Sequence, residues 1–361
     1  MPVIVLAWKK FYNRVLVKKL WYHEVLKVVL FRWRKDWRAL ATGIGTAKMI
    51  LCGEHAVVYG EPAISVPFTQ AVVTTNVETS TKTEFSSAFF SGNLEDMPDF
   101  LEGIKSLVVD ILKEIGKGEC VSIHVTSGVP IGRGLGSSAA VATSIARGLY
   151  KYFDKELDKK KLLAIVNAAE KIAHGNASGV DAITVVSEKP VWYERDRKLE
   201  IMNFPKKVTF VVADTGVPSE TRAAVADVQQ LYQKNEAEIG KIIHALGDIS
   251  REIKTNLEGN ADTVKIGTAM NKAQSYLEIL TVSDKSLEKL IEVARSNGAD
   301  GAKLTGGGRG GCIIAVAKNQ ETAEKITKAL HKAGAAQEWI FTIGEGSYES
   351  DSHRTHECGA N

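Results

Sequence analysis

Apolar and polar residues alternate along 120–126, where Val121, Ile123 and Val125 are separated by Ser122, His124 and Thr126. A period of two predicts a strand with one face in a core. Apolar or β-branched runs predict further strands at 49–52, 71–79, 207–213, 301–305, 312–317 and 339–343, with another led into by 61–67. The period changes at 159–173, where Leu162, Ile165, Val166, Ala169 and Ile172 fall on one side of a helix. Helical spacing also predicts an amphipathic helix over 99–116, several segments between 219 and 296, and a helix over 320–333. Residues 80–98 read as strand and loop. Strands and helices do not alternate regularly, so the pattern predicts an α+β chain in two parts, not a doubly wound sheet. Pro190 and the charged stretch 194–200 mark the boundary, giving units of 42–190 and 191–346.

Between the strand at 120–126 and a small-residue helix over 139–147 lies Pro130-Ile-Gly-Arg-Gly-Leu-Gly-Ser-Ser-Ala-Ala140. Gly132, Gly134 and Gly136 occupy alternate positions, and two hydroxyls, Ser137 and Ser138, follow at once. Glycine tolerates positive φ and offers no Cβ to block approach. A helix start adds unpaired N–H groups and a partial positive charge. Such a unit can cradle the phosphates of a nucleotide. It is not a Walker loop, which needs Lys where Ser137 stands, nor a dinucleotide loop, which needs Gly there. The second glycine run, 306–311, precedes a strand and is expected to be a tight loop that brings backbone close to a ligand or to the first loop.

Composition narrows the function classes. The 361 residues are 44% hydrophobic and 25% charged, with a formal net charge of +3. Residues 1–40 hold ten Lys and Arg against two Asp and Glu, a net of +8, which leaves −5 for the remainder. A mildly acidic body argues against nucleic-acid binding. Segment 1–40 also carries four of the six Trp, and 22–37 has helical apolar spacing. Two readings stay open for 1–41: a basic amphipathic helix for a membrane surface or partner, or translated sequence upstream of the native start. The polar tail 347–361 is expected to be disordered. Cys52, Cys120, Cys312 and Cys358 form no C-x-x-C pair, which argues for a reducing cytoplasm and against structural zinc or disulfides. No apolar run is long enough to span a bilayer.

Three motifs, 48–60 (Lys-Met-Ile-Leu-Cys-Gly-Glu-His-Ala-Val-Val-Tyr-Gly), 130–140 and 303–312 (Lys-Leu-Thr-Gly-Gly-Gly-Arg-Gly-Gly-Cys), resemble in order those of the GHMP kinases. Within that superfamily, 53–60 and 174–181 (His-Gly-Asn-Ala-Ser-Gly-Val-Asp) are similar to the branch acting on mevalonate. The resemblance covers about 42–345. It departs at Thr46-Ala47, where Pro-Gly is common, and at Arg309, in a run of usually small residues. It implies a ribosomal-protein-S5-like N-terminal domain, a C-terminal α/β sandwich and a cleft between them. The implied activity is ATP-dependent phosphorylation of mevalonate, in the cytoplasm. Oligomeric state stays open, a homodimer among the options.

By the same resemblance Asp181 takes the proton of the acceptor alcohol, and Lys48 stands beside it and the phosphates. Pro130, Ile131, Gly132, Arg133, Gly134, Leu135, Gly136, Ser137, Ser138, Ala139 and Ala140 form the ATP loop, with Ser127 and Lys48 as further contacts. Mg²⁺ falls to Ser138 and Glu170, and the acceptor side to Glu54, His55 and Thr221. Each residue also has an ordinary structural reading. Asp181, Ser138 and Thr221 could be helix N-caps, Lys48 a snorkelling strand lysine, Glu170 a solvated helix charge and His55 a buried core histidine. Two other functions stay open: a sister kinase acting on phosphomevalonate or homoserine, and a membrane-recruited protein without catalysis.

Overall fold

The structure is a computed structural model that describes residues 40–174, 179–194 and 199–344. The basic segment 1–39, residues 175–178 and the tail lie outside the described residues, and so do the expectations for the N-terminal extension and for 347–361.

In the first half, β1 (Ala41–Cys52) pairs antiparallel with β2 (Ala63–Thr79). The other edge of β2 takes β5 (Val121–Ser127) and β6 (Val191–Tyr193). Beyond β5 lie β3 (Glu84–Ser86) and β4 (Ser91–Asn93), and beyond β6 lies β7 (Glu200–Ile201). Stretches 61–67 and 71–79, separate in the apolar pattern, belong to one long strand. Thr46 pairs with Val72 but Ala47 pairs with Phe68, so the irregularity around 69–71 is absorbed as a bulge within β2. The first sheet also runs on past Pro190, because β6 and β7 hydrogen-bond into it.

Four helices complete this half: α1 (Glu102–Ile115), α2 (Ser137–Tyr152), α3 (Lys159–His174) and α4 (Val180–Ser187). The small residues of α2 let it lie directly on β1. A Cβ at Gly45 would sit 2.1 Å from the Ala140 carbonyl oxygen, and one at Gly43 2.1 Å from that of Ser144. This close approach fixes the start of α2 relative to the strand that carries Lys48.

The second half is a four-stranded antiparallel sheet in the order β11-β8-β10-β9. Its strands are β8 (Val208–Asp214), β9 (Ala299–Thr305), β10 (Cys312–Ala317) and β11 (Gln337–Ile343). Its helices are α5 (Thr221–Lys234), α6 (Glu236–Glu258), α7 (Thr263–Ile279), α8 (Lys285–Ser296) and α9 (Gln320–Lys332). The helical stretch breaks where polar caps stand. The side chains of Asn235, Asp262 and Asp284 accept from backbone N–H groups two or three residues ahead, at the starts of α6, α7 and α8.

Strand β9 is a sheet edge, yet its backbone is satisfied by side chains from α7 and α8. The Ala302 N–H donates to Asn271, the Leu304 N–H donates to Gln274, and the Ala302 carbonyl accepts from Arg295. Across the two sheets Phe68 of β2 meets Trp339 and Phe341 of β11 edge-on, with ring centroids 5.6 and 5.4 Å apart. The apolar core therefore runs through both halves. Among the described residues, no helix is long and apolar enough to cross a membrane.

Candidate active site

The glycine loop leaves β5 and enters α2. Gly132, Gly134 and Gly136 all have positive φ (65°, 76° and 67°), a conformation that turns backbone N–H groups toward a common side. Gly136 caps α2, which is sixteen residues long and has no acidic residue in its first turn. Its unpaired N–H groups and its positive end therefore stand open to an anion. Leu135 is buried and anchors the loop, and its carbonyl accepts from the Lys48 N–H at 3.0 Å.

Along the even positions of β1 from Thr42 to Ile50, only Lys48 is buried. The glycine loop lies over its stem, since a Cβ at Gly136 would come within 2.7 Å of the Lys48 Cγ. The Lys48 ammonium lies 2.7 Å from the Asp181 carboxylate and 3.5 Å from the Gly134 carbonyl oxygen. Asp181 occupies the first turn of α4, after Gly179 at φ 79°. A carboxylate there is favoured by the helix dipole. The N-cap is Gly179, so the capping reading of Asp181 does not hold. The Lys48 side chain is 5% exposed and that of Asp181 39%, so the cation is held inside while the anion opens outward.

Helix α3 brings Glu170 to the start of α2, where the Ser138 hydroxyl donates to its carboxylate. Glu170 is buried, not a solvated helix charge. Two hard oxygen donors thus meet beside the glycine loop. That set suits Mg²⁺, which takes few protein ligands and completes its octahedron with phosphate oxygens and water. Among the described residues, no three or more His, Cys, Asp or Glu are grouped so as to hold a metal.

The second half closes the other wall. A Cβ at Gly134 would lie 3.1 Å from the Gly306 Cα, so the two glycine runs touch as backbone, and the Ser219 N–H donates to the Gly132 carbonyl at 2.7 Å. This is the close approach expected of 306–311. Arg133 does not turn to the cradle. Its Nε donates to both Asp214 carboxylate oxygens at 2.8 and 3.0 Å, and its Nη2 to the Gly216 carbonyl. Arg309, the departure in the third motif, also faces outward, to Asp227 and the Thr281 carbonyl. Ser127 is exposed, and its hydroxyl closes a local turn with Val129. Thr221 begins α5 without a side-chain capping bond, packs against Gly307, and has its hydroxyl 3.1 Å from that of Ser219.

Glu54 and His55 sit in the turn after β1 and part company. The Glu54 carboxylate is buried against the ammonium of Lys303, a fully buried lysine of β9. Burial raises the Glu54 pKa, and the Lys303 charge opposes that rise. The His55 Nε2 lies 3.0 Å from the Gly307 carbonyl, so Nε2 carries the proton and Nδ1 is left as a buried acceptor without a protein partner. Burial lowers its pKa from 6.5 to about 4, so the ring is neutral at neutral pH. The unfolded chain binds this proton more readily than the folded one. Stability is therefore lost as pH falls through about 6.5 toward about 4, by up to roughly 3 kcal/mol from this group. Urea titrations should show that part of the slope missing in His55→Gln, and equal slopes would count against it.

Cys52 and Cys312 are buried thiols whose pKa values burial pushes upward, as expected of core residues. Lys303 was not picked out as a site residue by the sequence, although it opens the third motif. Its one visible signal is a charge inside a short apolar strand.

The profile of the GHMP kinases N terminal domain matches residues 103–189, and that of the GHMP kinases C terminal region matches 253–336. The mevalonate kinase of Pyrococcus abyssi is 31% identical over 316 residues, covering 80% of this chain and 91% of that protein. The chain belongs to the GHMP kinases. The fold agrees. The crystal structure of mevalonate kinase from methicillin-resistant Staphylococcus aureus superposes with a TM-score of 0.62 at 33% identity, covering 84% of this chain and 98% of that one. The L. major mevalonate kinase in complex with R-mevalonate gives a TM-score of 0.74 at 23% identity, covering 85% and 96%. In this GHMP kinase the N-terminal match contains the glycine loop, Glu170 and Asp181, and the C-terminal match contains Lys303 and 306–311. Lys48, Glu54 and His55 lie ahead of both.

Proposed function

We propose that this GHMP kinase transfers the γ-phosphoryl of ATP to the primary alcohol of mevalonate, giving 5-phosphomevalonate and ADP. One observation carries the reading: the Lys48–Asp181 pair stands at the glycine loop, in a chain whose relatives of similar length are mevalonate kinases. The loop amides and the open end of α2 bind the triphosphate. The acceptor alcohol sits over the outward-facing Asp181 carboxylate, in line with the γ-phosphorus. The alcohol oxygen bonds to that phosphorus as the bond to the β–γ bridging oxygen breaks. The alcohol proton passes to Asp181 and ADP carries away the electron pair. Lys48, paired with the Asp181 carboxylate at 2.7 Å, stabilises the developing negative charge.

Ser138 and Glu170 would hold Mg²⁺, which when bound neutralises the phosphate charge. With the hydroxyl gone, Ser138→Ala should need roughly tenfold or more Mg²⁺ for half-maximal rate, as read from ADP release against Mg²⁺ concentration. An unchanged Mg²⁺ curve would remove Ser138 from the metal site.

The acceptor is tested by offering mevalonate, phosphomevalonate, homoserine and galactose with ATP and Mg²⁺ in a coupled ADP-release assay. Turnover of mevalonate alone is expected. Phosphorylation of phosphomevalonate but not mevalonate would overturn the assignment.

A further inference from the structure

We propose that Arg133 is a positioning residue for the nucleotide: through its ion pair with Asp214, the second half of the molecule holds the glycine loop in its binding shape before ATP arrives. The proposal rests on 130–138 being the loop that takes the triphosphate, as read above.

The loop is gripped from two sides. Strand β1 holds Leu135 and Gly134, whose carbonyls accept from the Lys48 N–H at 3.0 Å and the Lys48 ammonium at 3.5 Å. The turn between β8 and α5 holds Gly132 and Arg133. There the Ser219 N–H donates to the Gly132 carbonyl at 2.7 Å, and the Arg133 Nε to both Asp214 carboxylate oxygens at 2.8 and 3.0 Å. The Arg133 Nη2 donates to the Gly216 carbonyl at 3.0 Å, and Nη1 reaches back to that of Ile131 at 3.4 Å. A single guanidinium therefore ties the loop both to the turn and to itself.

The anchor is rigid. Strand β8 lies inside its sheet, and Asp214 stands opposite Cys312 of β10 and Gln337 of β11. The Asp214 carboxylate also accepts from the Gly216 N–H at 2.9 Å, which fixes its orientation. The Arg133 and Asp214 side chains are only 14% and 6% exposed, so salt screens the pair little. The same turn holds the second glycine run. The Thr215 N–H donates to the Gly311 carbonyl at 2.9 Å, the Gly311 N–H to the Val217 carbonyl at 2.8 Å, and the Ser219 hydroxyl to the Gly308 carbonyl at 2.7 Å. Three glycines at alternate positions make the first loop costly to order. Order imposed beforehand is a cost that ATP does not meet on binding. Arg133 points away from the cradle, so its effect reaches the phosphates through the loop backbone.

The experiment measures ATP binding with Mg²⁺ by isothermal titration calorimetry, with no acceptor present. It compares wild type, Arg133→Met, Asp214→Ala and the double variant Arg133→Met/Asp214→Ala. Arg133→Met should bind ATP about tenfold more weakly. Asp214→Ala should lose a similar amount although it removes a negative charge. The double variant should lose no more than either alone, because all three break the same contact. The kcat for mevalonate at saturating ATP should stay within about threefold of wild type, since Lys48, Asp181, Ser138 and Glu170 are untouched. Arg133→Lys should restore little, because an ammonium cannot span Asp214 and Gly216 as the guanidinium fork does.

An Arg133→Met enzyme that binds ATP within about twofold of wild type overturns the proposal. So does an Asp214→Ala enzyme that binds ATP as well as wild type or better, the result expected if Arg133 met the phosphates directly. A merely structural contact would lower the urea midpoint and leave the ATP affinity of the folded protein unchanged. If Arg133→Met does not fold, the double variant decides by the same threshold, because it leaves no lone charge buried. Hydrogen exchange needs no ligand. In nucleotide-free Arg133→Met the Ser219 amide, which bonds to the Gly132 carbonyl, should exchange about tenfold faster, and an unchanged rate overturns the proposal. A wild-type enzyme that binds no ATP would sink the nucleotide reading and this proposal with it. One that binds ATP but leaves mevalonate untouched would sink the acceptor reading alone.

Discussion

Asp181→Asn should lower kcat for mevalonate phosphorylation by about 10³-fold, within the 10²- to 10⁴-fold range of a positioned proton acceptor. The amide cannot take the alcohol proton, and it offers Lys48 no negative charge. KM for ATP should move little, since the loop amides that bind the triphosphate are untouched. The fold should survive. Asp181 is 39% exposed, and asparagine keeps its volume in the first turn of α4. The check is a coupled ADP-release assay with circular dichroism of the same preparation. A folded variant at the wild-type rate would remove Asp181 from the chemistry.

Gly45→Val should cost about 3 kcal/mol or more of folding stability. The new Cβ would stand 2.1 Å from the Ala140 carbonyl oxygen, and the next atoms it meets are also backbone. No flexible side chain can yield, so α2 must lift off β1. That shift would carry Ser137 and Ser138 away from Lys48, so residual folded protein should also lose turnover. The neighbouring Thr46→Val is the control. The Thr46 hydroxyl is buried without a hydrogen-bond partner, so replacing it with a methyl should change stability by less than about 1 kcal/mol. Urea midpoints measure both. A Gly45→Val midpoint equal to that of Thr46→Val would refute the close-packing account.

Local signals were legible in the chain where short-range chemistry sets the structure. The alternation at 121–125, the three glycines and the small residues after them specify strand, loop and helix, and β5 and α2 form there. Helical spacing between 219 and 296 also predicted several segments, and the structure separates them where Asn235, Asp262 and Asp284 cap the next helix. Short-range chemistry said less about β2, where a bulge joined two apparent strands, and about the strands beyond Pro190. Both depend on what a neighbouring strand offers.

Site residues divide in the same way. Family resemblance, more than periodicity, pointed to Lys48 and Asp181, and their 2.7 Å contact exists because α4 and the glycine loop close over β1. Arg133 carried no sign that it would be drawn to Asp214, 81 positions away. Glu54 carried none that it would be buried against Lys303, 249 positions away.

By itself the sequence pointed to most of the strands and helices, the anion-binding loop and the family, because each depends on residues within a few positions or on ordered motifs. Only the tertiary structure decided which charges face the cleft and which neutralise one another inside it. A buried charge takes as partner whatever opposite charge the packing of distant strands brings within reach, and nothing near it in the chain specifies which.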